Sequence, residues 1–468
     1  MASSDHNVDV VLNGSATNVP SCPHGPALLF ERYVKGTNSR HFFACSAFRD
    51  RKQCSFFQWA DDKKNRCICP ETDNTDSRGQ TSFDHSALRK RFLKFKKLPR
   101  ESRSVCCTCG LLLLPEEVDA HSGQAGHVLK HRVSLSSLRH PTTLFHPQEN
   151  NKTYAQYLFS DSTVDFVLSS LENLNFTHVL CVGAPRIHEA FTLKHKDGQT
   201  SVTSLLLDLD SRYAQVYSHK QLCLYNMFNH HFFDLRGESI FKSFLREGGK
   251  GLVLVTDPPF GGMVEALAAT FSKIQQAWKK LFETDASLPI LWFFPYFMEK
   301  RISQCLPSLT MLDYKVDYDN HTLFNTKGGK KKGSPVRIFT NISQSSLPLP
   351  AADGYWYCEV CQRYSASENK HCDKCQRCTS KDGTTYTHCD LCKRCVKASR
   401  IHCSTCNTCD LPSHICGKVQ PEGCHVCGAL DHKRRDCPQK YQSTKQSGKK
   451  RKPSRHRTPT KAKKLKCQ

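Results

Sequence analysis

One eight-residue pattern constrains the fold of this chain more than any other feature. HCDKCQRC at 371–378 returns as HCDLCKRC at 388–395 and again as HCSTCNTC at 402–409. The repeats supply His371, Cys372, Cys375 and Cys378, then His388, Cys389, Cys392 and Cys395, then His402, Cys403, Cys406 and Cys409. Thiolates and imidazoles at two-residue intervals are the donors of closed tetrahedral zinc sites. With Cys358-x2-Cys361 ahead and Cys416 behind, the repetition predicts about two or three fused zinc sites within a Cys/His-rich region spanning 355–418. A segment so poor in apolar residues folds on its metal or not at all.

The rest of the sequence fits that chemistry. There are 27 cysteines and 23 histidines among 468 residues. The opening MASSDHNVDV lacks the basic start and apolar run of a signal peptide. The longest apolar stretches, such as 288–297, fall short of the ~20 residues of a spanning helix. A reducing compartment and no membrane are therefore expected, with cysteines serving as ligands rather than disulfides. A net charge of +24 draws the chain to a polyanion, with plain solubility as the bland alternative.

The length predicts several domains. Cysteine concentrates between Cys22 and Cys109 and between Cys358 and Cys437, leaving 150–345 to build a conventional core. Residues 1–20 are expected to be disordered. In 21–70, Cys22, His24, Cys45 and Cys54 offer three thiolates and one imidazole, while Cys67 and Cys69 stay unassigned. In 100–132, Cys106-x2-Cys109 followed by His121 and His127 has Cys₂His₂ spacing, with Cys107 and His131 as competitors. Cys424-x2-Cys427-x4-His432-x4-Cys437, within 422–439, is an uninterrupted zinc knuckle. Gly428, Lys433, Arg434 and Arg435 suit it to single-stranded nucleic acid, with protein contact as the alternative. From 440 to 468 the chain (KKRKPSRHR, KAKKLK) is a disordered basic tail, read as a nuclear address or an RNA-binding arm.

The cysteine-poor middle alternates short apolar runs at 179–182, 204–209, 222–225, 251–256 and 288–294 with longer polar segments. Runs of this length between crossovers predict an α/β, Rossmann-like fold whose mostly parallel sheet is covered on both faces. Across 263–283, Val264, Leu267, Phe271, Ile274, Trp278 and Leu281 recur at helical steps, which makes Trp278 a core residue. GGKKKG at 328–333 is a basic loop, either a phosphate contact or a solvated turn. The run GLVLVTDPPF places Asp257, Pro258, Pro259 and Phe260 at the carboxyl edge of a predicted strand, where open α/β sheets hold ligands. Ordinary Asp-Pro turn chemistry is the competing account.

Three of these regions resemble known families. CPHGP, SRHFFAC and CSFFQWADD are similar to the GRF-type zinc finger, which implies Cys22, His24, Cys45 and Cys54 as ligands and Phe42, Phe43 and Trp59 as framework or nucleic-acid-facing aromatics; Ser39 stands where that family has glycine. The 358–416 layout resembles the cysteine-rich core of DHHC proteins, but the Asp-His-His-Cys sequence is missing, so a structural platform is expected. The Asp-Pro-Pro-Phe run resembles the motif of class I methyltransferases that modify exocyclic amines with S-adenosylmethionine. The resemblance implies that Asp257 and the Pro258 carbonyl accept the amine N–H groups, that the prolines stiffen the loop, and that Phe260 stacks on the base. It also implies Gly183 in the loop after the first strand and Asp208 on the cofactor ribose, with Asp210 competing. Asn226 and Met227 would lie near the adenine, Gln156, Tyr157, Leu158 and Phe159 over the cofactor, and Arg186 at its carboxylate; a structural role for each of these is the alternative.

The whole succession of modules resembles the CCHC-type zinc-finger rRNA adenine-N6 methyltransferases. Such a resemblance implies N6-methyladenosine in large-subunit ribosomal RNA as product, a nuclear and nucleolar or cytoplasmic setting, and ribosome-biogenesis or RNA-helicase proteins as partners. The residues alone reach only amino methylation of a nucleic acid. Two rivals stand beside that reading: a protein Gln/Asn amide methyltransferase, and a catalytically inactive zinc-finger RNA-binding adaptor.

Overall fold

The computed structural model describes residues 8–12, 19–33, 39–48, 51–61, 84–147, 156–320 and 334–416. The main unit comprises Asp9–Glu31 and His41–Gly417; the second, Met1–Val8, Arg32–Arg40 and Lys418–Gln468, lies almost wholly outside the described residues. The expected CCHC knuckle, the basic tail, the 328–333 loop and Cys67 and Cys69 fall outside them too.

At the centre lies an eight-stranded sheet. Its chain-order strands are β1 (His178–Val182), β2 (Thr203–Asp208), β3 (Leu222–Asn226), β4 (Leu252–Thr256), β5 (Ile290–Pro295), β6 (Thr310–Leu312) and β7 (Val336–Thr340), with a two-residue strand, His231–Phe232, beyond β3. The spatial order is β3-β2-β1-β4-β5-β7-β6. Strands β1 to β5 pair in parallel, and β7 runs antiparallel to both β5 and β6. All five apolar runs of the middle region are strands, and the sheet is of the doubly wound type.

The run-like apolar pattern follows from burial on both faces. In β4, Val253 and Val255 belong to one apolar cluster while Leu252 and Leu254 belong to the other, as the two-residue alternation of a strand requires. The first cluster is covered by α1 (Asp161–Asn173) and α2 (Pro185–Lys196), through Val164, Val167, Ile187 and Phe191. The second is covered by α3 (Leu235–Gly248) and α4 (Val264–Phe282), through Phe241, Leu245, Leu267, Phe271 and Ile274. Trp278 on α4 is 2% exposed and its indole N–H donates to the Gly249 carbonyl, so it is a core residue.

Zinc modules extend this core instead of hanging from it. Phe92, Phe95, Val105 and Leu112, from the helix His85–Lys97 and the Cys₂His₂ region, join the same apolar cluster as β1 and β4. Gln215 pins that region: its side-chain oxygen accepts from Leu112 N at 2.9 Å and its amide donates to Gly110 O at 2.8 Å. On the far edge, buried Asp313 after β6 accepts from Ala366 N and Asn369 Nδ2, both at 2.9 Å, and lies 3.5 Å from Nε of buried Arg337 on β7.

Two expectations are corrected here. The first 20 residues are not uniformly without structure, because Val8–Val11 is an edge strand of the four-stranded sheet of the first finger. Three valines in the four residues, all half-buried, give the strand its β-branched surface. His131 is no metal competitor, because Cys106, Cys109, His121 and His127 close a four-donor group without it, and its Nδ1 bonds the Ser104 hydroxyl at 2.9 Å. No helix among the described residues is long and apolar enough to cross a membrane.

Candidate active site and zinc centres

The strand order reverses between β1 and β4, and the crevice at a doubly wound sheet's reversal is where such folds take ligands. Gly183 leaves β1 and Asp257 leaves β4 at this point, and Asp257 N donates to Val182 O at 3.3 Å. Gly183 has φ +62°, and a Cβ there would sit 2.5 Å from Cε of Met227. The left-handed backbone favours glycine, and the end of the flexible Met227 side chain lies directly on it. Gly262 closes the next turn, donating to Pro259 O at 2.7 Å, and this holds Phe260 at the crevice.

Asp257 brings a carboxylate acceptor to the β4 side of this crevice. Burial pushes its carboxyl well above the usual carboxylate range, and the Tyr318 hydroxyl, donating to Oδ1 at 2.9 Å, acts in the opposite direction. Phe260 is stacked with Tyr157, ring centres 5.3 Å apart and planes 22° apart, and meets Tyr318 edge-on at 5.9 Å. The segment carrying Tyr157 is strapped to the one carrying Tyr318: Ser160 N donates to Asp317 O, Asp319 N to Leu158 O, and Leu158 N to Asn320 Oδ1. Gln156, Tyr157, Leu158 and Phe159 thus lie along the Tyr318 segment, with Tyr157 over the Asp-Pro-Pro-Phe loop.

The residues expected at the cofactor divide. Asp208, at the end of β2, is buried, and its carboxyl is pushed up to about 7, chiefly by burial and then by Asp210. Asp210 is itself committed to Arg212, with Oδ2 2.6 Å from Nη2, which leaves Asp208 as the acceptor for a hydroxyl-rich ligand. Asp208 and Gly183 fit a nucleoside cofactor at the crevice.

Asn226 does not fit its expected role. Its amide donates to His24 O at 2.9 Å and to Ser46 Oγ at 2.8 Å, so the side chain holds the first finger to β3. Arg186 is likewise engaged, donating to Asp161 at 2.6 Å and lying 3.4 Å from Glu189 and 3.9 Å from Asp319. These three carboxylates engage the guanidinium within the fold, as the structural alternative for Arg186 has it. Gln156 bonds Tyr213 and Arg212 with its side chain.

Metal donors gather into closed groups whose spacing can be tested. Tetrahedral zinc with ordinary bond lengths sets sulfur–sulfur edges of about 3.8 Å and sulfur–nitrogen edges of about 3.6 Å. Cys22, His24, Cys45 and Cys54 form one group, with His24 Nδ1 3.8 Å from Cys22 and 3.5 Å from Cys45. Cys106, Cys109, His121 and His127 form another, with Cys106 Sγ–His127 Nδ1 and Cys109 Sγ–His121 Nε2 both at 3.4 Å. In the Cys/His-rich region the groups cut across the sequence repeats. They are Cys358, Cys361, His371 and Cys378; Cys372, Cys375, His388 and Cys395; and Cys389, Cys392, His402 and Cys409. A fourth brings Cys403, Cys406, His414 and Cys416 together, with edges of 3.4 to 3.5 Å.

The interleaving follows from strand geometry. In each His-Cys dipeptide, adjacent side chains on a strand point to opposite sides. His371 therefore completes the group behind it while Cys372 opens the group ahead, and His388-Cys389 and His402-Cys403 do the same. After each second cysteine the chain turns through a left-handed residue: Gln362, Gln376 and Lys393 at φ 51° and Asn407 at φ 47°. The expected two or three sites are thus four. His414 was absent from the expected donors because it stands two residues before its cysteine, outside the repeat. Its Nδ1 lies 2.8 Å from Leu411 O, which leaves Nε2 to the metal.

On the first finger, Phe43 is buried framework, whereas Phe42 is half-buried, stacks between Phe30 and Phe57, and meets Trp59 edge-on. Phe42 and Trp59 therefore keep part of their ring surface on the sheet's open side.

A doubly wound sheet with a half-buried carboxylate and an aromatic ring on a proline-stiffened loop at its reversal, joined to Cys/His metal groups, is the arrangement of a zinc-bearing amino methyltransferase. Comparison with known proteins narrows the class. The profile of the family described as "Probable N6-adenine methyltransferase" matches 150–343, and that of the GRF zinc finger matches 20–63. The rRNA N(6)-adenosine-methyltransferase ZCCHC4 of Homo sapiens is 49% identical over 90% of this chain and 83% of its own length. Its counterparts in Xenopus tropicalis and Mus musculus are each 48% identical over 92% of the chain and 88% and 85% of their own lengths. The chain belongs to the ZCCHC4 family of methyltransferases, whose methyl donor is S-adenosylmethionine and whose Cys/His clusters hold zinc.

Proposed function

We propose that this chain methylates N6 of adenosine in ribosomal RNA, the large-subunit RNA being its particular substrate. The observation that carries the reading is Asp257 at the carboxyl end of β4, half-buried, its Oδ1 accepting from the Tyr318 hydroxyl whose ring meets Phe260 edge-on. An aromatic amine is a poor nucleophile because its lone pair is delocalised into the ring. Asp257 accepts one amino N–H and the Pro258 carbonyl the other, which orients and polarises the nitrogen before transfer. Phe260 stacks on the base, in the place Tyr157 takes here, so base entry displaces the 156–159 strap. The donor supplies an electrophilic methyl group, and Asp208 with Gly183 positions it at the β1–β2 side of the crevice. Half-exposed Phe42 and Trp59, the Cys/His ladder and the basic tail favour RNA over a protein amide. The nucleus and nucleolus are the proposed setting, on the strength of the tail, and ribosome-biogenesis proteins or RNA helicases the proposed partners.

Incubating the full chain with methyl-labelled donor and ribosomal RNA lacking the modification, then digesting to nucleosides for mass spectrometry, tests the reading. Label in N6-methyladenosine of the large-subunit RNA is expected. Label on glutamine or asparagine of a co-incubated protein fraction, or none anywhere despite cofactor binding, overturns it.

A further inference from the structure

The helix His85–Lys97, between the first finger and the Cys₂His₂ module, has a charge distribution that neither its packing nor its stability explains. Its thirteen residues include Arg89, Lys90, Arg91, Lys94, Lys96 and Lys97 and no acid. Arg91 pairs with Glu117. Among the described residues, the other five cations have no carboxylate ion-pair partner. Lys90, Lys94 and Lys97 stand with exposed Leu93 at helical steps on the outward face. Cations in the last turn suit the helix dipole, but Lys90 lies before it, and like charges four apart destabilise a helix.

The opposite flank is immobilised. His85 Nε2 bonds Tyr217 O at 2.7 Å, Arg89 donates to Val216 O at 2.6 Å, and Arg91 donates to Leu112 O. The row of lysines is therefore held rigidly against the methyltransferase core and the zinc module at once. Beside it stand Lys196 at the end of α2 and Arg139, whose partner Asp197 is 2.5 Å away. Partial desolvation, then the charges of Arg89, Arg139 and Lys96, pull the Lys196 ammonium below its usual value. These cations crowd one another with a single acid among them.

We propose that the outward face of the helix His85–Lys97, with Lys196 at its flank, is a docking surface for the sugar–phosphate backbone of the substrate RNA outside the methylated nucleotide. This rests on RNA being the substrate. A rigid row of lysines grips phosphates without reading bases, fixing register while the crevice does the chemistry. Each lysine neutralising a phosphate contributes about 0.7 to 0.9 to the slope of log affinity against log salt.

The test uses the full chain with its zinc, a transcript of a large-subunit rRNA fragment, and the triple variant Lys90→Gln, Lys94→Gln, Lys97→Gln. A charge-matched control carries Lys242→Gln, Lys273→Gln and Lys280→Gln on exposed positions of α3 and α4. The helix variant is expected to lose about 2 to 3 from the salt slope. Its RNA affinity should fall on the order of 10- to 100-fold at low salt, and KM should rise with kcat kept, while zinc content, melting and donor affinity stay unchanged. Equal slopes in wild type and helix variant, or an equal loss in the control, overturn the proposal. Should the wild type itself fail to bind or methylate RNA, the functional reading fails instead, so the two failures are distinguishable.

Discussion

Tyr318→Phe removes one hydroxyl and leaves the ring that packs on Phe159 and Phe260. The lost bond is the 2.9 Å donation to Oδ1 of Asp257, the one contact that favours this carboxylate against the burial that disfavours it. A hydrogen bond to a charged group contributes about 1.5–3 kcal/mol, so its loss disfavours the carboxylate by that much and pushes the Asp257 carboxyl further up. The sign is set by which form works: a charged oxygen accepts an amino N–H more strongly than a protonated one. Activity is lost as pH falls through the carboxyl's pKa, so the acid limb of kcat/KM should move to higher pH. Rates should fall near neutrality and recover as pH is raised. The assay is methyl transfer across pH 5.5–9.5 at saturating donor, with donor affinity and melting temperature measured in parallel. An unmoved limb, or a uniform loss at every pH with lower stability, refutes the argument and makes Tyr318 a packing residue.

Asp257→Ala should abolish transfer while zinc content and RNA affinity stay near wild type, because the carboxylate acts mainly in the transition state; single-turnover assays with filter binding check this. Phe260→Ala should be slower than Phe260→Tyr, since stacking contributes about 1–3 kcal/mol per base; equal rates would make the ring mere packing. His414→Ala should release one zinc by metal analysis without changing methyl transfer to a short oligonucleotide. Asp313→Ala leaves Arg337 buried without its carboxylate and should cost about 3–5 kcal/mol in a denaturant titration, far more than a surface carboxylate.

The strands and the helix Val264–Phe282 were legible because burial on two faces, or on one stripe, imprints a period on the sequence. The Asp-Pro-Pro-Phe loop was legible because its position follows from the strand before it. What escaped was whatever depends on partners far along the chain. Asn226 sits where a nucleoside contact is expected, but its amide meets His24 and Ser46, some 200 positions away. Arg186 reads as a lone cation until Asp161, Glu189 and Asp319 converge on it. Tyr318 belongs to no motif, and only the strap joining 156–160 to 317–320 brings it to Asp257. The zinc donors were legible as residue types but not as groups, because spacing counts ligands without saying which way each side chain points.

That direction-splitting of each His-Cys dipeptide makes the 358–416 segment a one-dimensional array. Its first group is built against the methyltransferase edge through Ala366 and Asn369, while its last, around His414, touches only its own neighbours among the described contacts. Neighbouring centres are linked by a single peptide bond, so vacating one slackens a donor of the next, the nearest-neighbour coupling of a repeat protein. Metal should then leave from the distal end inward, and occupancy should respond to a chelator as a zipper does, with a steepness that four independent sites would not show.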